Sequence, residues 1–178
     1  MIIHCTKKLA AKLPEVSDTP LHESNPLGEW HANIYTIQRR NCILFCHDQT
    51  RFVLFMVGLK QKDFTNLDYC FQDLFANTLL KSGYDTNLIE KSLALLTPAR
   101  FDTHCSRSVQ GSMRTVRTME LDAALYHTGD VMSLLPYSTS VQLNHRPVTV
   151  KGMKDSECLW PIKDMEVYLK AVTGEAAR

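Results

Sequence analysis

The sequence has no long apolar run and almost no net charge. A helix that spans a bilayer needs about 20 consecutive apolar residues, and every apolar stretch here is far shorter. Lys and Arg total 20 against 19 Asp and Glu, which gives a formal charge of +1. These absences argue against a helical membrane protein. They also mean that contact with nucleic acid or another polyanion requires a local basic patch.

Signals for export, disulfides and metal binding are missing as well. The chain starts MIIHCTKK, in which lysines stand where a secretory leader has its apolar region, so we expect a soluble cytoplasmic protein. In that compartment the six cysteines stay reduced, and we interpret them mainly as small core residues. No CxxC or HxxxH spacing is present, so we expect neither metal nor cofactor. Three adjacent His/Cys pairs, at 4–5, 46–47 and 104–105, leave zinc as the weaker alternative.

The composition is that of an ordinary globular domain. The chain has 178 residues, of which 44% are hydrophobic and 22% are charged. A chain of this length buries a core without disulfides or metals, and neither repeats nor a linker interrupt it. We therefore expect a single domain that includes residues 1–178.

Strand-like segments concentrate in the first third of the chain. Runs rich in Ile, Val, Phe and Tyr at 30–37, 42–46 and 51–57 are separated by short polar connectors and predict an antiparallel meander. A short apolar run at 2–5 predicts a further strand. The intervening segment 14–29 has no periodicity and reads as a long loop.

Helical spacing of apolar residues follows the meander. It predicts helices at 65–82, 86–96 and 106–127. Pro14 would end a short helix at 6–13, and Pro161 suits the first turn of a last helix through residue 172. The fold class is thus α+β, an antiparallel sheet packed against several helices in a single domain.

Register decides which side chains of the meander meet. With four-residue connectors, Ile37 pairs with Cys42 and Asn33 with Cys46, while Arg51 lies opposite Cys46. Because side chains alternate along a strand, one face is apolar and forms the core. Its members are Ala32, Ile34, Ile43, Phe45, Phe52, Leu54 and Met56.

The other face gathers polar residues at one end, which we take as a candidate site. A thiolate nucleophile needs a nearby base or positive charge, and His31 and Arg51 would supply these for Cys46, with Asn33 beside them. This hypothesis of hydrolytic or transfer chemistry predicts a depressed pKa for the Cys46 thiol. The alternative, which we favour, is a buried Cys46 and a hydrogen-bonded His31 on the strand.

A basic stripe on the third predicted helix is the second candidate. Arg107, Gly111 and Arg114 fall on the side opposite Val109 and Val116. Glycine inside a helix costs about 1 kcal/mol relative to alanine, so Gly111 suits the close approach of another backbone or a ligand. Arginines hold phosphate groups, which makes the stripe a candidate binding surface. A solvated helix face is the alternative reading.

Several pieces of the sequence resemble a family of uncharacterised bacterial proteins that carry a domain of unknown function. In chain order these are MIIHCTKKL, WHAN, RR, RSVQGSM, LNHRP and WPI, and together they cover most of the chain. The resemblance implies a small bacterial cytoplasmic protein. It carries over no activity, cofactor or catalytic residue.

The function that we expect is binding. A protein or nucleic-acid partner would contact Arg51, Arg107, Arg114 and Asn144, without a membrane and with the oligomeric state left open. The alternative is an enzyme that uses Cys46 and His31.

Overall fold

A five-stranded mixed sheet organises the chain. The computed structural model describes residues 1–150, 152–154 and 157–175. The strands are β1 (Ile2–Cys5), β2 (Trp30–Ile37), β3 (Arg40–His47), β4 (Val53–Leu59) and β5 (Arg100–Asp102). They lie in the order β4-β3-β2-β1-β5. The predicted meander of β2, β3 and β4 is antiparallel, but β1 pairs in parallel with both β2 and β5. The expectation of an antiparallel sheet is therefore correct for only part of it.

The parallel half follows from the length of the connections. A parallel partner needs a crossover of about a dozen residues or more, and residues 6–29 provide one between β1 and β2. Strand β5 is only three residues long and follows a proline, so it lacks the alternation that marks a strand in a sequence. The single α+β domain is confirmed, with a sheet of mixed direction.

The helices that the spacing predicts are present with small changes at their ends. They are α1 (Lys7–Ala10), α2 (Gln61–Thr65), α3 (Leu67–Lys81), α4 (Thr86–Ala94), α5 (Arg107–Thr115), α6 (Asp122–Thr128), α7 (Pro136–Leu143) and α8 (Pro161–Val172). A π-helical turn, Val116–Leu121, joins α5 to α6, so the helix predicted at 106–127 is one continuous run. Helices α2 and α7 were not predicted. Helix α7 begins at Pro136, where the missing N–H of proline costs nothing.

The turn between β2 and β3 has two residues, and it corrects the predicted register. Gln38 and Arg39 form the turn with φ of 47° and 63°. Ile37 therefore pairs with Arg40, and His31 with Cys46. Val53, not Arg51, lies opposite Cys46 on the other side. Because the slip equals an even number of residues, each side chain keeps the predicted face.

This turn gives a first prediction. Arg39→Gly stabilises the fold by about 0.5 kcal/mol, since a left-handed backbone costs a non-glycine residue about 1–2 kcal/mol and the added freedom of the unfolded chain offsets part of the gain. Urea unfolding measures the change. Arg40→Gly, at the neighbouring strand position with ordinary backbone, is the matched control and loses stability. A loss in both variants would contradict the prediction.

Both faces of the sheet are buried. The predicted apolar face packs against α3, α4 and α8, and Trp30 lies edge-on to Phe71 with ring centroids 5.0 Å apart. The face with the polar end packs against α5 and the segment that follows it, through Val109, Met113 and Val116. The first candidate site therefore lies under a layer of helix. In the described parts of the chain, no helix is long and apolar enough to cross a membrane.

Candidate functional site

A row of polar side chains crosses the sheet beneath α5. The register places Asp102 of β5 beside His4 of β1, His4 beside His31 of β2, and His31 beside Cys46 of β3. All four residues are at most 4% exposed. The sequence predicted His31 and Cys46 as neighbours in space but missed His4 and Asp102. Local patterns reveal neither the parallel pairing of β1 nor the existence of β5.

Asp102 is a fixed anion at one end of this row. Its Oδ1 accepts a hydrogen bond from His4 Nδ1 at 2.6 Å and one from the His104 amide at 2.8 Å, and its Oδ2 accepts one from the Leu21 amide at 2.8 Å. Burial raises the pKa of this carboxyl, but these hydrogen bonds outweigh burial and hold the pKa below its usual value. The proton on His4 Nδ1 therefore points at Asp102, while His4 Nε2 lies 3.6 Å from Glu29 Oε2.

His31 occupies the next strand and has a different set of partners. Its Nδ1 accepts a hydrogen bond from the Ser106 amide at 3.3 Å, and its Nε2 lies 3.2 Å from Asp48 Oδ1. The ring centroids of His31 and His4 are 4.9 Å apart. Because an amide donates to Nδ1, the neutral ring carries its proton on Nε2 and donates it to Asp48. That hydrogen bond is the main cause of the lowered pKa of Asp48.

Cys46 does not have the properties of a nucleophile. Its side chain is fully buried, and burial raises the pKa of the thiol to about 12, although Arg51 and Arg146 favour the thiolate. The structure contradicts the depressed pKa that the enzyme hypothesis predicts. Cys46 lies in the core between the sheet and α5.

The two asparagines of the prediction are engaged in structural hydrogen bonds. Asn33 Oδ1 accepts a hydrogen bond from Thr6 Oγ1 at 2.8 Å. Asn144 is completely buried; its amide accepts from the Val53 amide at 2.8 Å and donates to the carbonyls of Val53 at 2.8 Å and Ser140 at 2.9 Å. Asn144 therefore hydrogen-bonds both backbone groups of Val53 on the edge strand β4. This structural role stands in place of the binding role that we predicted.

Arg51 is also buried, and it connects the polar row to α5. Its backbone has φ of 57°, a left-handed conformation that is uncommon for a residue other than glycine. Its guanidinium donates to the Asp48 carbonyl and, at 3.2 Å, to Ser108 Oγ on the first turn of α5. Arg51, which we predicted to bind a partner, therefore contacts the first turn of α5 from the side that faces the sheet.

A groove on the outer side of α5 contains the predicted stripe. It has a volume of about 540 Å³ and lies between α5 and the segment 146–150. Two guanidiniums and four hydroxyls line it, and no carboxylate does so within the described chain; the polar lining residues are Arg107, Ser108, Ser112, Thr115, Arg146 and Thr149. A Cβ on Gly111 would meet no atom within 4 Å, so no contact of the described fold requires glycine there.

Arg146 is the residue of this groove that sequence reasoning missed. Its Nε and Nη2 are buried without a hydrogen-bond partner among the residues that the structure describes. Burial lowers the pKa of this guanidinium from its usual value, yet arginine stays charged in proteins. The available signal for Arg146 was its position in the segment LNHRP, two residues after Asn144. Of the two predicted stripe arginines, Arg107 lines the groove, whereas Arg114 is exposed on α5 outside the lining.

A second polar cavity, of about 450 Å³, lies beside Glu29 and Asp48, the carboxylates that contact the two histidines.

Across residues 1–150, 152–154 and 157–175, no three His, Cys, Asp or Glu side chains are grouped as metal ligands.

Comparison with known proteins identifies the family. No curated protein and no solved structure matches the chain. The family model described as a Domain of unknown function (DUF6933) matches residues 2–164. This range includes every strand of the sheet, the polar row and the whole groove. The match confirms the resemblance to a domain of unknown function. The chain belongs to the DUF6933 family.

Proposed function

We propose that this protein is a binding protein whose groove beside α5 holds the phosphates of a nucleic-acid backbone. The observation that carries the proposal is the guanidinium of Arg146, with two buried nitrogens that lack a partner within the described chain. A buried charged donor without an acceptor is costly. An anion in the groove would supply the missing acceptor.

The chemistry of the lining favours phosphate over other ligands. Arginine presents paired N–H donors that match two phosphate oxygens, and Arg107 and Arg146 both line the groove. The Ser108 hydroxyl accepts a hydrogen bond from Arg51 and keeps its own proton to donate to a ligand, whereas the hydroxyls of Ser112 and Thr115 donate to the carbonyls of Ser108 and Gly111. With no carboxylate in the described lining, the local charge is positive although the whole chain is nearly neutral.

The shape of the lining favours a backbone over a single phosphate group. From Arg107 to Thr115 the helix rises about 12 Å, which is longer than one phosphate. Exposed Arg114 continues the positive surface beyond the groove, while Arg117 is already paired with Asp122. No aromatic side chain is in the described lining, so base stacking is not expected. Recognition should therefore depend on the backbone and not on base sequence.

Fluorescence anisotropy with labelled oligothymidylate tests this proposal. We expect Arg107→Ala to weaken binding about threefold to tenfold and to reduce the slope of log Kd against log salt by about 0.7, the value for one lost contact to a single strand. Arg146→Lys keeps the charge but loses the paired donors, so it should weaken binding and leave the salt slope nearly unchanged.

Lys81→Ala is the matched control. It removes one exposed positive charge from the end of α3, on the opposite face of the sheet, and should leave the affinity nearly unchanged. Thermal unfolding of all variants verifies that they are folded. Equal losses for Lys81→Ala and Arg107→Ala, a strong preference for base sequence, or binding of a phosphopeptide but no oligonucleotide would overturn the proposal.

A further inference from the structure

We propose that protonation of His31 releases the first turn of α5 and thereby weakens phosphate binding in the groove. The effect on binding rests on the proposed function. The effect on the helix does not, because it follows from hydrogen bonds within the described fold.

The key contact is the hydrogen bond from the Ser106 amide to His31 Nδ1. Ser106 is the N-cap of α5, and its Oγ accepts a hydrogen bond from the Val109 amide at 3.5 Å. Neutral imidazole accepts at Nδ1, whereas imidazolium carries a proton there and can only donate. After protonation two N–H groups would face each other, so the ring and the N-cap cannot keep the present arrangement.

The charges around the His4–His31 pair come from every neighbouring element. The carboxylate of Asp48 faces His31 Nε2 and interacts favourably with either protonation state. Arg51, whose guanidinium lies 3.6 Å from Asp48 Oδ1, opposes a second positive charge. The other titratable groups nearby are Glu29 and Asp102, which contact His4, Cys46 and His47 on β3, and Cys105, whose thiol donates to the His4 carbonyl.

The first turn of α5 leads directly into the groove. Arg107 and Ser108 follow Ser106 and line the groove, and Ser108 Oγ is also the acceptor for buried Arg51. A displaced Ser106 therefore moves two lining residues. A positive charge added nearby would by itself strengthen phosphate binding, so weaker binding in acid distinguishes a change in geometry from simple electrostatics.

Two measurements on the ¹⁵N-labelled full chain test the inference. Without ligand, NMR should show the His31 ring protonated at Nε2 and not at Nδ1 near neutral pH, and the Ser106 amide should shift as His31 titrates. With labelled oligothymidylate, which does not titrate in the range of histidine, binding should weaken about fivefold or more once the pH is low enough for the NMR spectra to show the His31 ring protonated. His31→Asn keeps an acceptor near the position of Nδ1 but cannot titrate, so its affinity should be nearly independent of pH.

The outcomes separate the two proposals. Absence of oligothymidylate binding near pH 7.5 overturns the proposed function, while the ligand-free spectra still decide the behaviour of the helix. A proton on His31 Nδ1 at neutral pH, or a Ser106 amide that ignores the titration, overturns the inference. The same pH dependence in His31→Asn and the original chain also overturns it. The spectra of the unmodified chain need no variant, so a variant that fails to fold does not decide the question.

Discussion

Asn144→Leu lowers the free energy of unfolding by about 3 to 5 kcal/mol. The two side chains have the same branching and the same number of heavy atoms, so the loss comes from hydrogen bonds and not from a cavity. Leucine leaves the amide and the carbonyl of Val53 without the partners that they have in Asn144, and it removes one donor from the Ser140 carbonyl. Each buried backbone group that loses its partner costs about 1–3 kcal/mol.

Urea unfolding monitored by tryptophan fluorescence and circular dichroism measures this loss. Gln142→Leu is the matched control, because it makes a similar change at an exposed position of the same helix and should change stability by less than about 0.5 kcal/mol. A cost below about 1 kcal/mol for Asn144→Leu would show that water or a shifted helix replaces the amide. The backbone N–H and C=O of Val53 on the edge strand β4 would then have other hydrogen-bond partners in the variant.

The sequence predicted which face of the sheet each side chain occupies, but it did not predict the register that pairs residues on neighbouring strands. Alternation of apolar residues correctly assigned Ala32, Ile34 and Phe45 to one core, because alternation depends only on neighbouring residues. The register was wrong because Gln38 and Arg39 adopt left-handed backbone conformations that usually mark glycine or asparagine. Nothing in those two residue types signals a two-residue turn.

The candidate sites show the same division between local and distant information. The arginine stripe followed from the period of one helix, and Arg107 does line a groove. Arg146, on the opposite wall, is brought there by the chain after α7, which no local pattern indicates. In the same way, His4 and Asp102 meet only because β1 and β5 pair in parallel. Residues that tertiary pairing brings together are the ones that the sequence could not assign.

Asp102→Asn lowers the free energy of unfolding by about 3 kcal/mol at neutral pH. The carboxylate accepts three hydrogen bonds inside the protein, and removing one partner of a buried ion pair or charged network costs about 3–5 kcal/mol. Asparagine keeps one acceptor oxygen, so the expected loss lies at the lower end of this range. Its NH₂ group would face a backbone N–H or the His4 N–H that now donates to the carboxylate.

The lowered pKa of Asp102 also predicts how the difference depends on pH. A carboxyl with a depressed pKa in the folded state contributes stability that is fully present above its unfolded pKa of about 3.9 and is lost as the pH falls through its folded pKa. The original chain should therefore lose this contribution in acid, whereas Asp102→Asn lacks it at every pH. The gap in stability between the two should be widest near pH 7 and should narrow below about pH 4.

Chemical unfolding at several pH values measures that gap. Asp122→Asn, which removes an exposed carboxylate paired with Arg117, is the control and should change stability little at any pH, because exposed ion pairs contribute little. A gap for Asp102→Asn that stays constant from neutral to acidic pH would mean that the carboxylate itself is not the source of the stability. The hydrogen bonds to Leu21 and His104 would then matter through their geometry alone, and the row that runs from Asp102 through His4 to His31 would not be anchored by charge.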